Sequence, residues 1–173
     1  TIVNNAVLTA KGGAVSFEGK GDITNNALIE ANGSVYIIST GGKVTNRAGI
    51  IAGKNFATTS AASPFSLRAR ARAVDNGSVV ISGSSGVING ANGSIQANDS
   101  VLLESSAGNI SNSSSITATG GSVTISGNGS VNNSADITAS GGSVEISGNG
   151  GIENTANIEA SKDVSMTASA GSI

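Results

Sequence analysis

Along this chain, apolar and polar residues alternate in short runs, and the runs recur. Ile23-Thr24-Asn25, Ile29-Glu30-Ala31 and Val35-Tyr36-Ile37 each put residues of one character at every second position. A period of two marks a strand with one side toward a core and the other toward water. Helix is disfavoured, because β-branched residues are interleaved here with Ser, Thr, Asn and Gly, which are poor in helix interiors. Gly, Ser and Asn separate the runs, and these are turn residues.

The runs come in sets. Residues 109–129 and 130–150 match at fourteen of twenty-one positions, and self-similarity at such a period is the mark of a solenoid or array. Taking the first apolar residue of each copy as an anchor gives Ile2, Ile23, Val44, Leu67, Ile88, Ile110, Val131 and Ile152, spaced by 21 to 23 residues. Two positions after the anchor stands Asn4, Asn25, Asn46, Asn112, Asn133 or Asn154, with Ala69 and Gly90 in the remaining two copies. A second apolar column runs through Leu8, Ile29, Ile50, Ile116, Ile137 and Ile158, with Ile95 one place out of register and Ala73 weak. An Ala column follows, from Ala10 to Ala160, and then a paired apolar step from Val15/Phe17 to Val164/Met166.

Antiparallel hairpins would pair unlike positions, whereas this sequence keeps like with like. The pattern therefore predicts an all-β chain, a parallel β-helix of about eight coils of some 21 residues, forming one domain over 1–173. Parallel crossovers favour a right-handed path, and at about 4.8 Å per coil the rod would be about 38 Å long. Stacked Asn side chains carry both donor and acceptor, so the Asn column predicts a hydrogen-bonded ladder, weakest at Ala69 and Gly90. Residues 56–66 hold the only Pro, Pro64, which cannot donate to a sheet. They are expected to form an irregular outward turn, with a degenerate coil resuming at Leu67.

Composition narrows the picture. The 173 residues include 25 Gly, no Cys, no His and only 2% aromatics, yet 38% are hydrophobic. That suits a thin repetitive core better than a disordered Gly/Ser linker. A net charge of −2 implies no attraction to nucleic acid. The pattern starts in mid-copy at Thr1, and Ile173 falls where a ninth copy would open, so an internal piece of a longer chain is expected. Its end coils would expose unpaired strand edges, which predicts end-to-end stacking.

Two sets of residues raise the question of chemistry. Arg68, Arg70 and Arg72 alternate with alanines, so all three would point outward, and Arg47 one coil below would join them, with Lys43 and Lys54 nearby. Guanidinium groups so grouped could grip sulfated or acidic glycans; they equally suit a solvated strand whose charge deters aggregation. The acids Asp22, Asp75, Asp99, Glu104, Asp136, Glu145 and Asp163 are scattered singly, whereas glycan cleavage needs two carboxyls on one face. No catalytic, metal or cofactor site is expected, and the chain is read as not an enzyme.

The unit apolar-x-Asn-x-Ala-x-apolar-x-Ala, as in residues 23–31 and 152–160, resembles the repeats of the filamentous haemagglutinin family. The resemblance spans nearly the whole chain. It implies a right-handed parallel β-helix from a large exoprotein that an outer-membrane transporter partner secretes to the surface of a Gram-negative bacterium. It also implies a structural shaft of an adhesin or contact-dependent inhibition protein, meeting a receptor or glycan on another cell through the parent protein. The family's amino-terminal secretion domain, with its Asn-Pro motifs, has no counterpart here: Pro64 follows Ser63.

Overall fold

A computed structural model describes residues 1–54 and 77–173. Coil 1 carries β1 (Ile2–Asn4), β2 (Leu8–Ala10) and β3 (Val15–Gly19), and coil 2 carries β4 (Ile23–Asn25), β5 (Ile29–Ala31) and β6 (Val35–Ser39). Coil 3 carries β7 (Val44–Asn46), β8 (Ile50–Ala52) and β9 (Val79–Gly83). Coil 4 follows with β10 (Val87–Asn89), β11 (Ile95–Ala97) and β12 (Val101–Ser105), and coil 5 with β13 (Ile110–Asn112), β14 (Ile116–Ala118) and β15 (Val123–Gly127). Coil 6 holds β16 (Val131–Asn133), β17 (Ile137–Ala139) and β18 (Val144–Gly148), and coil 7 holds β19 (Ile152–Asn154), β20 (Ile158–Ala160) and β21 (Val164–Ala168).

The first, second and third strands of the coils form three separate seven-stranded sheets. Every pairing within them is parallel and joins equivalent residues, as in Ile2↔Ile23, Leu8↔Ile29 and Val15↔Val35. The chain is thus an all-β parallel solenoid, with no helix among the described residues. Backbone bonds run along the axis: Ile2 N donates to Asp22 O at 2.9 Å and Asn26 N to Asn4 O at 2.8 Å.

The alternation foreseen in the sequence holds along the stack, except in β7, where Thr45 is buried as well. In β5 and β14, the apolar residue and the Ala face inward and are fully buried, and the residue between them is only partly so. Ile29, Ile50, Ile95, Ile116 and Ile137 form one unbroken core column. Burying each such side chain contributes about 1.5–3 kcal/mol.

The coil count differs from expectation. Asn46 pairs directly with Asn89, Ile50 with Ile95, and Val35 with Val79. Gly90 N donates to Asn46 O at 2.8 Å and Ile50 N to Ser94 O at 2.8 Å, so no further coil fits between coils 3 and 4. The described residues form seven coils, with coil 3 paired directly to coil 4. The expected coil anchored on Leu67 and the expected turn at 56–66 fall outside the described residues. Val87, not Ile88, is the anchor of coil 4, and Ile88 points outward beside Thr45. The extra length of that coil lies at the corner after β10, where Gly93 N closes a turn on Gly90 O at 2.8 Å.

Candidate functional site

The best-ordered polar feature is internal. Asn residues, normally exposed, enter the core here because each amide satisfies the next. Asn4 Nδ2 donates to Asn25 Oδ1 at 2.7 Å, and Asn25 Nδ2 to Asn46 Oδ1 at 2.8 Å. The series continues from Asn46 to Asn89 at 2.9 Å, then through Asn112 and Asn133 to Asn154 at 2.7 Å per step. Asn89 therefore fills the place expected for Gly90, and the ladder has no gap at that coil. Among the described residues no buried side-chain nitrogen or oxygen lacks a partner, the condition under which a buried polar column is tolerable. At Gly93 a side chain would strike Asn89 Oδ1, so only glycine lets the longer corner of coil 4 rest on the ladder.

A second ladder was not anticipated. Just before the third strand of coils 2, 4, 5 and 6, Ser hydroxyls accept backbone N–H groups from the following coil. Ser78 N donates to Ser34 Oγ at 3.0 Å, Ser122 N to Ser100 Oγ at 3.3 Å, Ser143 N to Ser122 Oγ at 3.1 Å, and Asp163 N to Ser143 Oγ at 3.3 Å. Its signal in the sequence was the recurrent Gly-Ser-Val at 33–35, 77–79, 121–123 and 142–144.

Of the expected arginine patch only Arg47 lies among the described residues; Arg68, Arg70 and Arg72 do not. Arg47 is exposed at the corner after β7, where its Nη1 donates to Asn26 Oδ1 at 3.4 Å. Asn26 Nδ2 in turn donates to Asn5 Oδ1 at 2.8 Å, so Arg47 continues an outer amide ladder. Lys43 directly precedes β7, and Lys54 lies beyond β8 in an ion pair with Glu30. Lys43, Arg47 and Lys54 thus occupy three different corners rather than one face.

Asp22, Asp99 and Asp136 do turn work. Asp22 Oδ1 accepts Lys43 N at 2.8 Å, Asp136 Oδ1 accepts Asn157 N at 3.1 Å, and Asp99 Oδ2 accepts the Ser78 hydroxyl at 3.2 Å. In register, Glu104 neighbours Ser82 and Ser126, and Glu145 neighbours Thr124 and Ser165. Among the described residues no group of three His, Cys, Asp or Glu is placed to hold a metal ion. A shallow open groove of about 410 Å³ runs along coils 4 to 7 between Glu104 and Ser169, lined by Ser, Gly and Asn.

No protein-family model, curated protein or solved structure matches the chain.

Proposed function

We propose that this chain is a structural shaft, a segment of a secreted or surface-exposed filamentous adhesin that holds binding or effector regions away from a bacterial cell. The observation that carries the reading is the unbroken axial register of apolar, Ala and Asn columns through seven coils. Such a stack gains stiffness from backbone ladders along its axis and stability from nearest-coil contacts. Each added coil extends it by about 4.8 Å. The repeat's resemblance to the filamentous haemagglutinin family supports export by an outer-membrane partner and engagement of a receptor or glycan through the parent protein.

Reach is the testable quantity. Excising residues 110–130, or duplicating them, changes the coil number by one and keeps every column in register. With dyes at the two ends, energy transfer should report a change of about 4.8 Å per coil, and a binding module fused to the end should keep its affinity. Loss of the module's binding on changing coil number would contradict the reading.

A second reading, a glycan-binding module using Arg47, Arg68, Arg70 and Arg72, is favoured only by the exposure of Arg47. Heparin retention that vanishes when all four become Ala would support it over a passive shaft.

A further inference from the structure

We propose that Asn92 is a site of spontaneous covalent modification. Its carboxamide deamidates through a cyclic imide with Gly93, and the isoaspartyl product loosens the Asn ladder between coils 3 and 4. The inference stands on one corner of coil 4 and holds whether or not the shaft reading does.

The chemistry favours an Asn followed by Gly. The backbone nitrogen of the next residue attacks Cγ of the side chain, and a glycine there has no Cβ in the way. Ammonia leaves as the imide ring closes. Water then opens the ring at either carbonyl and gives Asp or isoaspartate, so the sum is one water taken up and one ammonia released. The attacking nitrogen and the carboxamide must turn toward each other, so any hydrogen bond that fixes either of them must open first.

Among the described residues, Asn precedes Gly at 32, 89, 92, 128 and 149. All but Asn92 are held on both sides. Gly33 N donates to Gly13 O at 2.9 Å, Gly90 N to Asn46 O at 2.8 Å, Gly129 N to Gly108 O at 3.0 Å and Gly150 N to Gly129 O at 3.1 Å, each a bond to the preceding coil. The carboxamides are tethered as well. Asn32 Nδ2 donates to Lys54 O at 3.3 Å, Asn128 Nδ2 to Ser106 O at 3.1 Å and Asn149 Nδ2 to Asn128 Oδ1 at 3.3 Å, while Asn89 is locked in the buried ladder.

Asn92 differs on both counts. It is exposed at the longer corner of coil 4, and its side chain makes no hydrogen bond among the described residues. Gly93 N closes only on Gly90 O, within the same turn. Opening that turn frees the reacting atoms without parting two coils, and local openings cost least where few bonds cross to a neighbour.

The product acts on what lies beneath. Gly93 O accepts Asn46 Nδ2 at 3.1 Å, and a side chain on Gly93 would strike Asn89 Oδ1 and Asn46 Nδ2. Isoaspartate routes the main chain through the former side chain, which adds a methylene to the backbone just before Gly93. The lengthened corner pushes Gly93 off its seat and disturbs the 2.9 Å bond from Asn46 to Asn89. Asp leaves the backbone unchanged and puts its charge in solvent.

Peptide mapping by mass spectrometry tests this on the 173-residue chain aged at mildly alkaline pH, folded and in urea. In the folded chain Asn92 should deamidate roughly tenfold faster than Asn32, Asn128 or Asn149, and Asn89 should stay intact. In urea the sites should react at similar rates. The aged chain should melt below the fresh one, whereas fresh Asn92→Asp and aged Asn92→Ser should melt with fresh wild type. Overturning results are an intact Asn92, another site as fast in the folded chain, or the same ranking in urea. An aged wild type that melts no lower than Asn92→Asp, or an aged Asn92→Ser that melts as low as aged wild type, would also overturn the proposal.

Discussion

Coils 3 and 6 present the same columns, Val44 and Val131, Asn46 and Asn133, Ile50 and Ile137, Ala52 and Ala139, Val79 and Val144, each in register with its neighbours. Yet 27 positions separate Ala52 from Val79, against five between Ala139 and Val144. The difference teaches that the stack reads which columns are filled and is indifferent to chain length at a corner. Adding length to a surface loop costs little, since closure entropy grows only with the logarithm of length. The corner itself is drawn tight. Gly53 (φ 73) and Gly77 (φ 82) adopt left-handed backbone, and a side chain on either would strike the other's backbone or Asn98. Gly53 and Gly77 lie against each other at this corner.

The two coils can be set against each other by mutation. Ile81 and Ile146 are both fully buried at equivalent places. Ile81→Ala and Ile146→Ala should each cost about 2–5 kcal/mol in urea unfolding; a much smaller loss at Ile81 would show that coil 3 is poorly packed. The ladder should distinguish the coils. Asn46 meets Asn25, Asn89 and Gly93 O, whereas Asn133 meets only its two ladder neighbours among the bonds it makes through its side chain. Each orphaned group costs about 1–3 kcal/mol, so Asn46→Ala should destabilise more than Asn133→Ala; the reverse order would contradict the bonding described.

Smaller effects belong to the corner. Gly77→Ala forces a Cβ into left-handed backbone, a cost of about 1–2 kcal/mol before any clash. Ser140→Ala, exposed at the matching corner of coil 6, should stay within about 0.5 kcal/mol of wild type. Deleting residues 55–76 leaves Ala52-Gly53-Lys54-Gly77-Ser78-Val79, which restores the five-position spacing of coil 6. That variant should keep its β signal in circular dichroism and lose no more than about 1 kcal/mol. Unfolding on deletion would show that the corner segment is part of the core.

Most of the architecture was legible because one period of two and one of about 21 residues speak for every strand. The Ala column and the paired Val/Ile step each have seven well-formed members, which is the observed number of coils. The eighth rested on the spacing of the anchor column, with Ile88 read as the inward residue of its coil. Ile88 is apolar but faces outward, and Val87 beside it is the buried residue; adjacent β-branched residues hide which of them faces in. Two extra residues at the corner after Asn89 then carried the error into the ladder. The Ser ladder escaped notice because Ser before Val looks like ordinary turn composition until backbone N–H groups are traced from coil to coil. The arginine patch could not be judged from alternation alone, because alternation does not say which corner a side chain occupies.

The central claim is that the columns continue directly from coil 3 to coil 4. Nuclear Overhauser contacts in the labelled chain test it most directly. The account predicts contacts between the Asn46 and Asn89 carboxamides and between the methyls of Ile50 and Ile95. Contacts instead from Asn46 to Ala69 and from Ile50 to Ala73 would place another coil between them and contradict it.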